Sequence, residues 1–126
     1  MSWLKKLFGL GTRIPAARYH FDLRDEAEKQ MERDAHHRLG GEDEEIAQTL
    51  CQLCAQGETD YRTDKEAFEK TRAEIRKIGE CLCSTGGSER MGRIAYRVAI
   101  LRGDTMPAAH TTEMEGYWVG ICGWQL

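Results

Sequence analysis

The chain has 126 residues, a length that suits a single domain with one hydrophobic core. Its 18 basic and 21 acidic side chains leave a formal net charge of −3, which argues against a general nucleic-acid-binding protein because a polyanion requires clustered cations. Only two valines occur among 126 residues, which argues against a large β-sheet.

The first 21 residues differ from the rest in charge and pattern. Residues 1–20 contain four basic side chains and no acid, at Lys5, Lys6, Arg13 and Arg18. At helical spacing four bulky apolar side chains share one face, opposite the two lysines: Trp3, Leu4, Leu7 and Phe8. The lysines interrupt the apolar stretch, so it does not resemble a secretory signal, and we expect a cytoplasmic protein. We predict an amphipathic segment and connector over residues 1–21 and a helical domain over residues 22–126.

Four segments with helical periodicity and end signals follow the connector. They cover residues 22–39, 42–56, 63–83 and 88–102. Gly57 is expected to end the second, a capping box from Thr63 to Glu66 to begin the third, and Gly86-Gly87 to separate the third from the fourth. Their apolar stripes predict a core that includes Phe68, Ile75, Ile78, Ile94 and Val98.

The C-terminal segment is apolar and rich in tryptophan. After Pro107, apolar or aromatic side chains recur at near-helical steps up to Ile121, whereas glycines at its end favour an irregular conformation. Residues 116–126 carry no charged side chain, so they must pack on the helices or on a partner. We therefore predict an all-α single domain of four to five helices around one core, with this segment packed on it.

Five cysteines leave three interpretations open: reduced buried thiols, a zinc site, and a redox pair at Cys51 and Cys54. An odd count without an export signal predicts reduced thiols in a reducing compartment. The alternative is a zinc site formed by two cysteine pairs, Cys51 with Cys54 and Cys81 with Cys83. Because Cys81 and Cys83 would diverge by roughly 200° on a helix, we expect free buried thiols and no metal or other cofactor.

Three arginines border the apolar stripe of the fourth segment: Arg90, Arg93 and Arg97. They could hold an anion or an acidic partner, or they could pair with the acid-rich helices of the same chain. We expect the second arrangement, because arginine stems commonly cover the edge of a core.

No catalytic constellation emerges from the titratable residues, and the adjacent His36 and His37 cannot face one ligand. We therefore expect a non-enzymatic helical protein that binds a protein partner or a second copy of itself. Its interaction residues are expected in the basic strip and at Trp3, Leu4, Leu7 and Phe8. Residues 1–12 would attach the chain to that partner or, peripherally, to an anionic membrane surface. The alternative function is that of a small zinc- or thiol-dependent protein using both cysteine pairs, and a third is that of an enzyme whose site forms only across a dimer.

Overall fold

The computed structural model describes residues 26–103 and 112–124 of the chain. These residues form four α-helices and no strand: α1 (Glu26–Ala35), α2 (Glu42–Thr63), α3 (Lys65–Leu101) and α4 (Thr112–Trp118). The predicted all-α class is therefore confirmed for this part of the chain. The predictions for residues 1–25, including the boundary between residues 21 and 22, lie outside it.

The connection between α2 and α3 is a single residue, Asp64. Its extended backbone ends α2, and its side chain accepts hydrogen bonds from the backbone N–H groups of Glu66 and Ala67 at 3.0 and 3.3 Å. The Thr63 hydroxyl instead donates to the Thr59 carbonyl. The predicted capping box is thus wrong by one residue, because the carboxylate of Asp64 competes successfully for the same free N–H groups.

The predicted end of α2 at Gly57 is also wrong, since the helix continues to Thr63. A Cβ atom at position 57 would lie 2.5 Å from the Tyr117 hydroxyl oxygen. Gly57 therefore permits the C-terminal segment to approach the helix, and the favourable packing outweighs the weak helix propensity of glycine.

A bend at Gly87 divides α3 into a first arm (residues 65–86) and a second arm (residues 88–101). Gly87 has a φ of 70°, a left-handed value that glycine adopts without steric cost. The predicted break between the third and fourth segments is therefore a bend at the single residue Gly87. Arg90 of the second arm pairs with Asp43, and Arg102 just beyond it pairs with Glu58, so the second arm lies along α2. Together α2 and the two arms form a three-helix bundle, with α1 packed on α3.

The core lies between α2, both arms of α3 and the C-terminal segment. Three of the five core residues predicted from periodicity are fully buried, namely Ile75, Ile94 and Val98. Phe68 and Ile78 are only half-buried, because each lines a pocket that is open to the surface. Helical periodicity identifies the inward side of a helix but does not show how far the neighbouring helix covers it.

The C-terminal segment packs on the first arm of α3 through Trp118, which is fully buried. The Trp118 indole N–H donates to the Ile75 carbonyl at 2.9 Å, and the Trp124 ring meets the Trp118 ring edge-on at 5.2 Å. The Arg76 guanidinium donates to the carbonyls of Tyr117 and Val119 at 2.8 and 2.9 Å. These bonds satisfy carbonyl groups that the end of α4 leaves without helical partners. Packing of the described part of the predicted Trp-rich segment is thus confirmed.

A disulfide joins Cys83 of α3 to Cys122 of the C-terminal segment, with 5.8 Å between their Cα atoms. The prediction that all cysteines are reduced is therefore wrong for these two. Docking of Trp118 places Cys122 beside Cys83, although the two cysteines are 39 positions apart in the sequence. The spacing of nearby residues does not reveal this proximity. Disulfides are typical of oxidising compartments, so the cysteines no longer support a cytoplasmic location.

Replacing both bonded cysteines by serine should lower the free energy of unfolding by about 3 to 4 kcal/mol, because the bond closes a long loop in the unfolded chain. Urea denaturation with and without dithiothreitol measures this. The reductant should lower the stability of the natural chain to that of the double variant and leave the variant unchanged. Equal stability of the natural chain in both conditions would contradict the structural role of the bond.

Gly79→Ala tests the docking of Trp118. A Cβ atom at position 79 would lie 2.5 Å from the indole nitrogen, so the substitution should lower the free energy of unfolding by about 1 to 3 kcal/mol. The control is Gly116→Ala in α4, where a Cβ atom would meet nothing within 4 Å. Because alanine is the better helix former, this control should be neutral or stabilising. Equal effects of the two substitutions in thermal unfolding would show that Trp118 is not held against Gly79.

Candidate functional site

The basic strip of the second arm faces the acidic beginning of α2. Arg90 donates to Asp43 at 2.7 and 3.0 Å and to Glu42 at 3.0 Å. Arg93 lies 3.6 Å from Asp43 and is less tightly held. The predicted pairing within the chain is confirmed, and it engages the arginines that could otherwise bind an external anion.

Glu44 and Arg97 form a buried ion pair at the junction of α1, α2 and the second arm. The guanidinium donates to both carboxylate oxygens at 3.0 and 3.1 Å, and its third nitrogen donates to the Ala35 carbonyl at the end of α1. The backbone N–H of Leu39 donates to the same carboxylate at 2.8 Å, as does the Gln48 side chain. Only 1% of Glu44 is exposed, so nearly all of its acceptor capacity is used within the chain.

Burial by itself raises the pKa of Glu44, but hydrogen bonds from Arg97, the Leu39 N–H and Gln48 outweigh burial and lower the pKa from 4.5 to about 2. Glu44 is therefore ionised at neutral pH and is poorly suited to general acid-base catalysis there. The sequence shows four acids at the start of α2 but does not show which one is buried, because that depends on the position of Arg97.

A second buried carboxylate, Asp60, is likewise satisfied within the fold. It accepts hydrogen bonds from the Gln56 amide at 2.8 Å and the Thr71 hydroxyl at 2.9 Å. The bond from Thr71 connects the last turns of α2 to the first arm of α3. Asp60 thus stabilises the end of the bundle at which Asp64 connects α2 to α3.

The four cysteines of the zinc alternative are not assembled into a metal site. Cys83 is bonded to Cys122, Cys81 is exposed and Cys51 is half-buried. Cys54 is buried with its sulfur 3.7 Å from that of Met114, and burial raises the pKa of this thiol to about 12. Across residues 26–103 and 112–124, no group of three or more His, Cys, Asp or Glu side chains is arranged to hold a metal ion. The described structure thus does not bring the four proposed zinc ligands together, since the Cys83 sulfur is bonded to that of Cys122.

Three rings form an aromatic surface at the end of the bundle where α2 meets α3: Tyr61, Phe68 and Tyr117. The Tyr61 and Phe68 rings meet edge-on with centroids 5.2 Å apart, and the Phe68 and Tyr117 centroids lie 6.4 Å apart. Tyr61 is 69% exposed and is the one large hydrophobic side chain exposed among the described residues. Sequence analysis missed this surface, because its three rings come from three helices.

A pocket of about 220 Å³ opens beside the aromatic surface. Its walls combine the Phe68 and Tyr117 rings with the side chains of Arg72 and Glu113. Burial raises the pKa of Tyr117 to about 12, so its hydroxyl stays protonated at neutral pH. Glu113 is already bonded to Arg102, whereas the one ion pair of Arg72 with a described residue is a long contact of 3.7 Å with Glu69. The pocket can therefore accept an apolar side chain beside a cation that has capacity for another carboxylate.

The other predicted interaction residues, Trp3, Leu4, Leu7 and Phe8, lie outside the described residues. His36 and His37 are exposed at the end of α1, on the loop that leads to α2. Within the described ranges, no helix combines the length and apolar character needed to cross a membrane.

No protein-family model, curated protein or solved structure matches this chain significantly. The function must therefore be inferred from the chemistry of its surfaces.

Glu44→Gln removes the charge that balances Arg97, and the free energy of unfolding at pH 7 should fall by about 3 kcal/mol because the guanidinium loses its counter-ion. The folded-state pKa is lowered, so the ion pair contributes fully above about pH 5 and progressively less as the pH falls toward 2. The stability difference between the two chains should shrink over that interval, as measured by urea denaturation. Glu45→Gln, at an exposed neighbouring position, should change stability little, and equal losses would contradict this assignment.

Proposed function

We propose that the protein is a non-enzymatic helical module that binds a protein partner through the aromatic surface, with residues 1–12 as an additional attachment element. The exposure of the Tyr61 ring carries this proposal. Tyrosine and phenylalanine are enriched at protein interfaces, where they bury large areas at a small cost in side-chain entropy.

The geometry around Tyr61 favours binding, because the ring is already positioned against Phe68. A preorganised ring loses little conformational freedom when a partner covers it. The adjacent pocket would receive one apolar side chain of the partner, and Arg72 at its edge would pair with an acid on the partner. The proposed recognition element is therefore a protein segment with an apolar side chain next to an acidic one.

Support for a non-enzymatic role comes from the way the polar groups are used. Among the residues that the structure describes, Glu44 and Asp60 are the buried carboxylates, and hydrogen bonds within the fold engage both. The buried thiol of Cys54 is protonated at neutral pH and therefore a poor nucleophile. These groups are engaged within the fold, whereas the exposed face of Tyr61 is open to a partner.

Residues 1–12 would strengthen attachment without determining specificity. An amphipathic stretch of this length with two lysines binds membranes weakly by itself, which favours a protein over an anionic lipid surface as its target. A cytoplasmic location stays a prediction. It would be contradicted by an intact Cys83–Cys122 disulfide in cell extracts quenched with an alkylating agent.

The test compares Tyr61→Ala with Thr59→Ala, a control at an exposed position on α2. Proteins captured from the native host by the full chain would be purified and titrated with each variant by calorimetry. Tyr61→Ala should raise the Kd of the true partner at least tenfold, and the control should leave it unchanged. The melting temperatures of both variants should stay near that of the natural chain.

A captured protein that binds both variants equally would show that the aromatic surface is not the binding site. Failure of every purified candidate to bind the natural chain would also overturn the proposal. Light scattering on the same samples identifies a second copy of the chain as the partner, if the natural chain dimerises and Tyr61→Ala does not.

A further inference from the structure

An open groove of about 260 Å³ runs between the beginning of α2 and the first arm of α3, away from the aromatic surface. Ile46 and Ile78 form its floor, and both are half-buried side chains packed against the core. Thr49, Glu42 and Glu45 complete its lining. The groove thus has an apolar floor and an acidic rim.

The rim has charge available for a basic ligand. Glu45 is exposed and makes no ion pair with any described residue. The Glu42 side chain is 74% exposed, although one oxygen contacts Arg90. Glu74 is also exposed and lies one helical turn before Ile78, so it adds a third carboxylate on the same side of the first arm. These features suit an amphipathic helix that carries both apolar and basic side chains.

We propose that residues 1–12 of the same chain occupy this groove when no partner holds them. This inference rests on the proposed role of residues 1–12 as an attachment element. The apolar face predicted for that segment, Trp3, Leu4, Leu7 and Phe8, would cover Ile46 and Ile78. Lys5 and Lys6 would extend to the carboxylates of the rim, as long basic side chains do at the edge of an apolar contact. The groove is then the resting site of the attachment element.

The connection is long enough for this docking within one chain. α1 spans about 15 Å, and the residues from its end to Glu42 extend at most about 25 Å, so residue 26 lies within about 40 Å of the groove. Residues 13–25 can extend about 46 Å. A short connector also keeps the segment at a millimolar effective concentration, which favours its own groove over that of a second copy.

Apolar contact would provide most of the affinity in this arrangement. Each exposed pair of lysine and glutamate contributes little affinity and is weakened by salt. The rim charges would instead fix the orientation of the segment. A substitution that fills the groove is therefore a sharper test than removal of one rim carboxylate.

The test uses the full chain with 5-fluorotryptophan in place of its tryptophans. The fluorine signal that is lost in the variant Trp3→Phe belongs to Trp3. A soluble gadolinium chelate measures how accessible each tryptophan is. Thr49 is exposed and lines the groove, so Thr49→Arg should block docking and increase relaxation of the Trp3 signal at least threefold. Ala55→Arg, exposed elsewhere on α2, should leave Trp3 protected. Unchanged Trp118 and Trp124 signals would show that the fold is intact.

Equal accessibility of Trp3 in the natural chain and in Thr49→Arg would overturn the proposal. Protection that disappears on dilution would also overturn it, because the occupant would then come from a second copy. Both results are distinguishable from failure of the proposed function, since Thr49→Arg leaves Tyr61 and Phe68 in place. Partner binding that depends on Tyr61 but not on Thr49 would support the proposed function alone.

Discussion

The buried ion pair between Glu44 and Arg97 is the contact on which the arrangement of the helices depends. A carboxylate removed from water is tolerated only when its acceptor capacity is filled, and here the donors come from the second arm, from α2 and from the loop after α1. Arg97 also donates to the last carbonyl of α1. The pair therefore joins three parts of the chain in one geometry, and a shift of any of them would leave a charge unsatisfied.

The other end of the bundle is closed by the C-terminal segment, beside which Arg102 pairs with Glu58 and Glu113. Trp118 lies where Gly79 offers no side chain, and Tyr117 lies where Gly57 offers none. The disulfide between Cys83 and Cys122 then holds this segment to α3. Tyr117 belongs to both the core packing and the aromatic surface, so the proposed binding site inherits its position from the docking of Trp118. Stability and the shape of the site are thus coupled at this end.

The two proposed surfaces lie at opposite ends of the hairpin formed by α2 and the first arm. The aromatic surface surrounds the Asp64 turn, whereas the groove lies near Glu42 and Ile78. Their chemistry also differs, since one offers exposed rings and the other an apolar floor with an acidic rim. This separation would let the chain hold its own N-terminal segment while the aromatic surface stays open to a partner.

Local sequence pattern determined the all-α class, the apolar stripes that contain Ile75, Ile94 and Val98, and the break at Gly86-Gly87. Periodicity and backbone preference are properties of neighbouring residues, so these features can be derived from the chain alone. Tertiary structure decided that Gly57 lies inside a helix, that Glu44 rather than Glu42 is buried, and that Cys83 meets Cys122. It also assembled Tyr61, Phe68 and Tyr117 from three helices. Each of these outcomes depends on which distant residue lies opposite, and that is set by how the helices pack rather than by spacing along the sequence.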